Sequence, residues 1–164
     1  MPEDATARIE ARLRELEWVL RDPPRPAGMY RPVVVRHGIG VVSGQFSFED
    51  GELRIRGRVG AEISAPEGRR AAQVAALNVL AQIRAALNGF DRLQGLMRVD
   101  GYVASAPGFT SQPWVLDGAS ECFIAVLGPE LGVHTRTAFA VSQLPLDAPV
   151  ELAVTFATNG AGET

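Results

Sequence analysis

The sequence predicts an α+β domain in which helices cover one side of a mixed or antiparallel β-sheet. Three observations lead to this prediction. Apolar stripes with helical spacing alternate along the chain with short runs rich in Val, Ile and Phe. Turn dipeptides such as His37-Gly38 and Asp50-Gly51 separate several of the short runs. A length of 164 residues suits one domain with a substantial core.

The first predicted element is a helix over residues 4–21, with Asp4 as its N-cap. Four apolar residues, spaced by four, three and four, share one face of it: Ile9, Leu13, Leu16 and Leu20. The stretch DPPRPAG ends this helix, because proline removes a hydrogen-bond donor and fixes φ. We expect a helical arm on a stiff linker, packed on its own domain or, alternatively, at a subunit contact.

The chain therefore divides into three predicted parts. Residues 1–22 are the helical extension, residues 23–157 are the main domain, and residues 158–164 are a flexible tail. Within the main domain, residues 31–60 contain short antiparallel strands separated by turns.

A long helix follows these strands. Ser64 and Glu67 form a capping box at its start, and Gly89 marks its end. Four residues share its apolar face: Ala76, Leu80, Ile83 and Leu87. The run LQGLMRVDGYVAS then predicts a strand.

The run TSQPWVLDGASECFIAVLG predicts a second helix over the sheet, capped by Ser111 or Thr110, with Pro113 in its first turn. Its shared face consists of Leu116, Ala119, Phe123 and Val126. Cys122 lies in this helix and is interpreted as a small core residue. Residues 134–157 then form two strands around a proline-bearing turn.

The composition argues against several classes of protein. The net charge of −3 disfavours a dedicated nucleic-acid binder, whose affinity depends on clustered Lys and Arg. A single cysteine and two histidines, His37 and His134, make an intrachain disulfide impossible and a zinc site unexpected. The chain starts without an apolar signal-peptide core and has no apolar run of bilayer length, so we expect a cytoplasmic protein without membrane contact.

The last two strands carry the main candidates for chemistry. Arg136 shares a strand face with Ala138, Ala140 and Ser142, and Glu151 shares the smaller face of the next strand. The larger residues of both strands are expected to pack under the helices. From spacing alone, the two charges are more readily read as a surface pair, although a small polar pocket is the alternative.

Six segments, which lie in order within residues 30–157, together resemble the pattern of one known family. They are VVSGQ, GRVG, AALNVLAQIRAAL, GYVASAPGFT, VLDGASECFIAVLG and RTAFAVSQLPLDAPVEL. In these segments and their spacing, the chain resembles the RidA/YjgF family, also called the reactive-intermediate deaminase or L-PSP family. The resemblance implies a chorismate-mutase-like fold, a homotrimer with ligand sites between subunits, and no metal or cofactor. It also implies hydrolysis of 2-imino acids, of the 2-aminoacrylate type, to 2-oxo acids and ammonia.

The resemblance also implies roles for individual residues. Arg136 matches the arginine that binds the substrate carboxylate, and Glu151 matches the glutamate that assists the attacking water. Tyr30, Ser43 and Gly44 match positions that line the pocket. An arginine fork and a carboxylate are suited to these roles, because one forms paired hydrogen bonds and the other accepts a proton.

Two positions differ from the deaminase pattern. Ala138 stands where a cysteine is frequent, and Asp117 stands where an asparagine is usual. The additional carboxylate predicts either weaker binding of an anionic substrate or recognition of an amine. Two alternative functions remain on this evidence: a non-catalytic trimer that binds a small carboxylate, and an L-PSP-type endoribonuclease or translation inhibitor.

Overall fold

The structure is a computed structural model that describes residues 4–160, and it confirms the α+β fold. The helices are α1 (Ala5–Glu15), α2 (Ala65–Leu87) and α3 (Gln112–Leu131), with a short 3-10 helix at Pro145–Asp147. The strands are β1 (Val33–Arg36), β2 (Ile39–Gln45), β3 (Phe48–Glu49), β4 (Glu52–Leu53), β5 (Leu93–Ala104), β6 (Thr135–Val141) and β7 (Val150–Thr158). Five strands form the main sheet in the order β1-β2-β7-β5-β6, and β3 and β4 form a separate hairpin.

Helix α1 begins where the sequence predicts but ends earlier. The Asp4 side chain accepts a hydrogen bond from the Ala7 N–H at 2.6 Å, as expected of an N-cap. The helix stops at Glu15 rather than at residue 21, because Glu17 adopts a left-handed conformation with φ 56°. The Trp18 N–H then bonds to the Leu13 carbonyl at 2.9 Å, which closes a Schellman motif.

The apolar stripe of this N-terminal segment packs on the chain's own core. Ile9 and Leu13 are buried in α1, and Leu20 is buried although it lies beyond the end of the helix. Leu20 and the two α1 residues belong to the same apolar cluster as the sheet and the longer helices. Spacing therefore predicted which side chains are buried better than it predicted where the helix ends.

The two longer helices cover one face of the sheet. In α2 the predicted capping box is present, and the Glu67 carboxylate accepts from the Ser64 N–H at 2.7 Å. Asn88 in the left-handed conformation ends this helix, one residue before the expected Gly89. In α3, Ser111 stands at the N-cap position but its side chain makes no capping hydrogen bond. Gly128 interrupts the helix where the sequence predicts its end.

The last two strands are not neighbours in the sheet. Strand β5 lies between them, pairing with β6 in parallel and with β7 in antiparallel orientation. Val99 of β5 pairs with Arg136, whereas Tyr102 pairs with Glu151. Since paired residues share a face and successive residues alternate, Arg136 and Glu151 point to opposite sides of the sheet.

One prediction about β6 is wrong. Its larger residues do not pack under the helices; Phe139 stacks instead on Tyr102 on the outer face, with ring centroids 5.2 Å apart. The reason is that β6 forms the sheet edge, where the helix side is occupied by the start of α3 and the Arg136 side chain. In β7 the prediction holds, since the inward set is fully buried: Val150, Leu152, Val154 and Phe156.

The outer face of the sheet carries exposed apolar side chains. Val41 is 50% exposed, Ile39 46% and Phe139 41%. In the described chain the helices pack against the opposite face, so these side chains meet solvent in a single copy. Exposed apolar side chains on one face of a sheet are typical of an interaction face.

Strand β7 extends to Thr158, whose side chain is buried, so the predicted tail begins later than residue 158. Residues 161–164 of that tail, and residues 1–3 of the predicted extension, lie outside the described residues. Between residues 4 and 160, no helix combines the length and hydropathy needed to cross a bilayer.

Candidate functional site

Arg136 is held against the first turns of α3 by three hydrogen bonds. Its Nη1 donates to Asp117 Oδ1 at 3.0 Å and to Ser120 Oγ at 2.9 Å. Its Nη2 donates to the Pro113 carbonyl at 3.2 Å. Only 19% of the Arg136 side chain is exposed, against 45% for Asp117. The surface-pair interpretation is therefore wrong: Arg136 is an oriented cation at the sheet edge, and its ion-pair partner is Asp117.

His134 fixes the orientation of Ser120. The Nδ1 atom of His134 lies 2.6 Å from the Gly132 carbonyl, which can only accept, so Nδ1 carries the proton. Nε2 is then the acceptor for the Ser120 hydroxyl at 2.9 Å. Burial lowers the pKa of His134, and the charge of Arg136 lowers it further, so the neutral ring is favoured. The hydroxyl proton points to His134, which leaves the Ser120 oxygen free to accept from Arg136.

Glu151 lies on the outer face, beside Gly44 of β2. A Cβ atom at position 44 would overlap the Glu151 carboxylate, so a larger residue there would force this side chain to move. Glu151 forms no hydrogen bond or ion pair with another side chain of residues 4–160 that would compensate its burial. Burial accordingly raises its pKa above the ordinary value for glutamate. A carboxylate in this state is a stronger base than one in water.

The structure thus brings the predicted residues together in two groups rather than one. Asp117 joins Arg136 on the helix side of the sheet, and Gly44 joins Glu151 on the outer side. Strand β5 and the thickness of the sheet separate the two groups. Within one chain, Arg136 and Glu151 therefore lie on opposite faces of the sheet.

The other predicted pocket residues lie near the start of the sheet. Tyr30 is half exposed in the loop before β1, where its hydroxyl accepts from the Ala27 N–H at 3.3 Å. The Ser43 N–H donates to the Pro32 carbonyl at 2.8 Å, next to the β2 irregularity that includes Gly44. Within residues 4–160, neither side chain is hydrogen-bonded to Arg136 or Glu151. Ala138 lies exposed on β6, on the same side as Arg136.

Cys122 and His37 have structural roles. Burial in α3 raises the pKa of the Cys122 thiol to about 12, so it stays protonated and unreactive at neutral pH. His37 has φ 49° and Gly38 has φ 76°, which together form the tight turn between β1 and β2.

Arg136, Asp117, Ser120 and His134 form one hydrogen-bonded cluster, the Arg136 group. The sequence analysis did not predict that Ser120 and His134 belong to it. A signal was present for both. Ser120 lies three residues after Asp117 and so shares its helix face, and His134 precedes Arg136 by two residues and so shares its strand face.

Two depressions of about 400 and 470 Å³ lie on the surface, one beside the proline turn and one beside the linker, and neither is lined by Arg136 or Glu151. Among residues 4–160, no three His, Cys, Asp or Glu side chains come together to hold a metal ion.

Most of the chain matches a known protein family. Residues 10–158 match a family model described as "YjgF/chorismate_mutase-like, putative endoribonuclease". Protein TCP17 of Trypanosoma cruzi is 37% identical over 148 residues, which cover 90% of this chain and 92% of that protein.

Solved structures are similar over nearly the whole chain. A protein of unknown function from Agrobacterium tumefaciens is 34% identical, with a TM-score of 0.88 over 94% of this chain and 95% of that one. RidA from the Antarctic bacterium Psychrobacter sp. shares the fold at 22% identity, with a TM-score of 0.56 over 83% of this chain and 94% of that one.

Proposed function

The chain belongs to the YjgF/RidA family, and on that premise we propose that it is an imine deaminase. The proposed reaction is the hydrolysis of 2-imino acids, and of the enamines that tautomerise to them, to 2-oxo acids and ammonia. The observation on which this depends is the Arg136 group. A guanidinium that is oriented before the ligand arrives is suited to binding a small carboxylate.

The remaining donors of Arg136 support this role. A guanidinium has five N–H donors, and three of them are engaged by Asp117, Ser120 and Pro113. Within residues 4–160, the Nε–H and one Nη2–H form no hydrogen bond, and they are left for a ligand. Two such donors match the two oxygens of a carboxylate, and the three hydrogen bonds to α3 fix their orientation.

The separation of Arg136 from Glu151 supports a site shared between copies of the chain. We propose that Arg136 of one subunit and Glu151 of its neighbour face the same ligand. The exposed apolar outer face, which includes Val41 and Phe139, would be buried in that assembly. The family resemblance favours a homotrimer, in which each contact between subunits supplies one complete site.

The proposed mechanism uses one carboxylate as both base and acid. Glu151 accepts a proton from water as the water oxygen bonds to C2 of the protonated imine, which gives a neutral carbinolamine. The protonated Glu151 then returns this proton to the amine nitrogen. The C–N bond breaks, the hydroxyl loses its proton to the departing ammonia, and the products are a 2-oxo acid and ammonium.

An RNA substrate is less well supported by the distribution of charge. Seven ion pairs tie arginines to carboxylates within residues 4–160, and they include Arg58–Glu62, Arg69–Glu121 and Arg98–Asp100. A polyanion needs a cluster of basic side chains that are not paired with carboxylates, and these ion pairs together with the net charge of −3 argue against one. We therefore favour a small carboxylate-bearing substrate over RNA.

The test measures 2-oxo acid release from imino acids formed in situ by an L-amino-acid oxidase. We expect the wild-type protein to accelerate release, and Arg136→Ala to lower kcat/KM by at least about 100-fold, because the carboxylate loses its charged partner. Arg69→Ala is the matched control, since Arg69 also bonds to a carbonyl and a carboxylate of α3. Equal rates in Arg136→Ala and Arg69→Ala would contradict the proposed site.

A further inference from the structure

The pairing of Arg136 with Asp117 gives the carboxylate site an unusual charge. The cation that would bind the ligand already has an anion 3.0 Å away. The two side chains together carry no net charge, so the site offers little electrostatic attraction to a plain anion.

Asp117 has capacity to bind more than Arg136. Its Oδ1 accepts from Arg136, and its side chain is 45% exposed. No other hydrogen bond to Asp117 is formed within residues 4–160, so Oδ2 remains available. A carboxylate oxygen next to a ligand site binds an N–H donor, and binds a cationic one most strongly.

A 2-imino acid carries both charges when its nitrogen is protonated. Its carboxylate is negative and its iminium is positive, whereas the 2-oxo acid product keeps only the negative charge. An Arg–Asp pair therefore distinguishes the substrate from the product, although the two molecules have nearly the same shape.

We propose that Asp117 is a specificity-determining residue that selects zwitterionic ligands, namely protonated 2-imino acids and their amino-acid analogues, over 2-oxo acids. This inference rests on the proposed function, because it assigns the ligand carboxylate to Arg136. Asp117 holds the cationic nitrogen beside Arg136, and it disfavours the product after the nitrogen has left.

The surroundings of Asp117 provide a matched control. Glu121 lies one helical turn later on α3 and is also paired with an arginine, since Arg69 Nη2 donates to it at 2.6 Å. It differs in facing Arg69 rather than Arg136. Glu121→Gln removes the same charge from the same helix without altering the Arg136 group.

The experiment compares the binding of L-alanine and pyruvate by calorimetry to wild type, Asp117→Asn and Glu121→Gln. The Asn substitution preserves shape, and thermal unfolding checks that each variant is folded. We expect Asp117→Asn to bind pyruvate more tightly and alanine more weakly, shifting the ratio of the two dissociation constants by about tenfold. Glu121→Gln should leave that ratio unchanged.

An unchanged ratio in Asp117→Asn, or a change of the same size in both variants, would overturn the inference. Arg136→Ala separates this failure from that of the proposed function. If Arg136→Ala abolishes binding of both ligands while Asp117→Asn leaves their ratio intact, only the role of Asp117 is wrong. If Arg136→Ala binds both as well as wild type, or if wild type binds neither, the proposed site and the inference fail together.

Discussion

The charged residues on the two sides of the sheet lie in different environments. On the helix side, Arg136 is bonded to Asp117, Ser120 and the Pro113 carbonyl, and Ser120 is itself fixed by His134. On the outer side, Glu151 is partly buried beside Gly44 and its pKa is raised by that burial. The cation is oriented before a ligand arrives, whereas the carboxylate has no hydrogen-bond or ion-pair partner among the side chains of residues 4–160.

This difference separates the two tasks that hydrolysis requires. Binding a carboxylate needs donors in fixed positions, and a network of hydrogen bonds provides them. Accepting a proton from water needs a carboxylate that is not already neutralised by a cation. A direct Arg136–Glu151 ion pair would impair both tasks, and the two faces of the sheet prevent it within one chain.

The largest effect is expected from Glu151→Gln. Because glutamine does not accept the proton from water, kcat should fall by about 10²- to 10⁴-fold, while the affinity for pyruvate stays within about threefold. The measurement is steady-state imine hydrolysis together with calorimetric titration of pyruvate. A normal kcat would show that Glu151 is not the base.

Glu151→Gln should also change stability, with a defined pH dependence. Because the folded-state pKa of Glu151 is raised, the folded protein binds more protons than the unfolded chain between the ordinary value and the raised one. The carboxylate therefore destabilises the fold above that window. We expect Glu151→Gln to unfold at a higher temperature than wild type at pH 7, and at the same temperature once the pH is below about 4.

Gly44→Ala tests whether the outer side depends on the space beside Glu151. A methyl group at position 44 displaces the carboxylate, so we expect kcat to fall by about tenfold or more. A double-mutant cycle with Glu151→Gln gives the control. If Gly44 acts through Glu151, the alanine should cost nothing further in the Gln background, and additive losses would rule out that explanation.

Ser120→Ala tests the orientation of the cation on the helix side. Arg136 loses one of its three hydrogen bonds, so pyruvate should bind about tenfold more weakly, while the kcat for saturating imine changes less. Binding and turnover measured on the same preparation give this split. Equal losses in both would assign Ser120 a general structural role.

The smallest effect is expected from His134→Gln and depends on pH. Because burial lowers the folded-state pKa of His134, the unfolded chain binds more protons between that value and about 6.5. The free energy of unfolding should therefore rise as the pH increases through this window, and this contribution of His134 should be absent below the window. In His134→Gln this part of the profile should flatten, which thermal unfolding from pH 5 to 8 would detect, and His37→Gln should keep it.

Local patterns predicted the elements because local forces determine them. The capping box of Ser64 and Glu67, the turn at His37-Gly38 and the buried stripe that includes Leu20 are all present in the structure. The end of α1 was not predicted because Glu17 adopts a positive φ, a conformation that is usual at helix ends for glycine or asparagine rather than for glutamate.

The arrangement of the site was less predictable, because it depends on strand order. Alternation placed Arg136 and Ala138 on one face of β6 correctly, but nothing local indicates that β5 lies between β6 and β7. Because β5 lies between them, Arg136 shares a face with Val99 and Glu151 shares the opposite face with Tyr102. The family resemblance predicted which residues form the site, whereas their separation follows from the strand order in the structure.

The central proposal is that Arg136 and Glu151 of different copies form one site, and subunit mixing tests it directly. Arg136→Ala and Glu151→Gln proteins, each inactive alone, are unfolded together in equal amounts and refolded, and imine hydrolysis is measured. In a mixed trimer with sites between subunits, roughly a quarter of the sites regain both residues, so activity should return to about that fraction of wild type. A mixture that assembles yet remains as inactive as its two components would contradict the shared site.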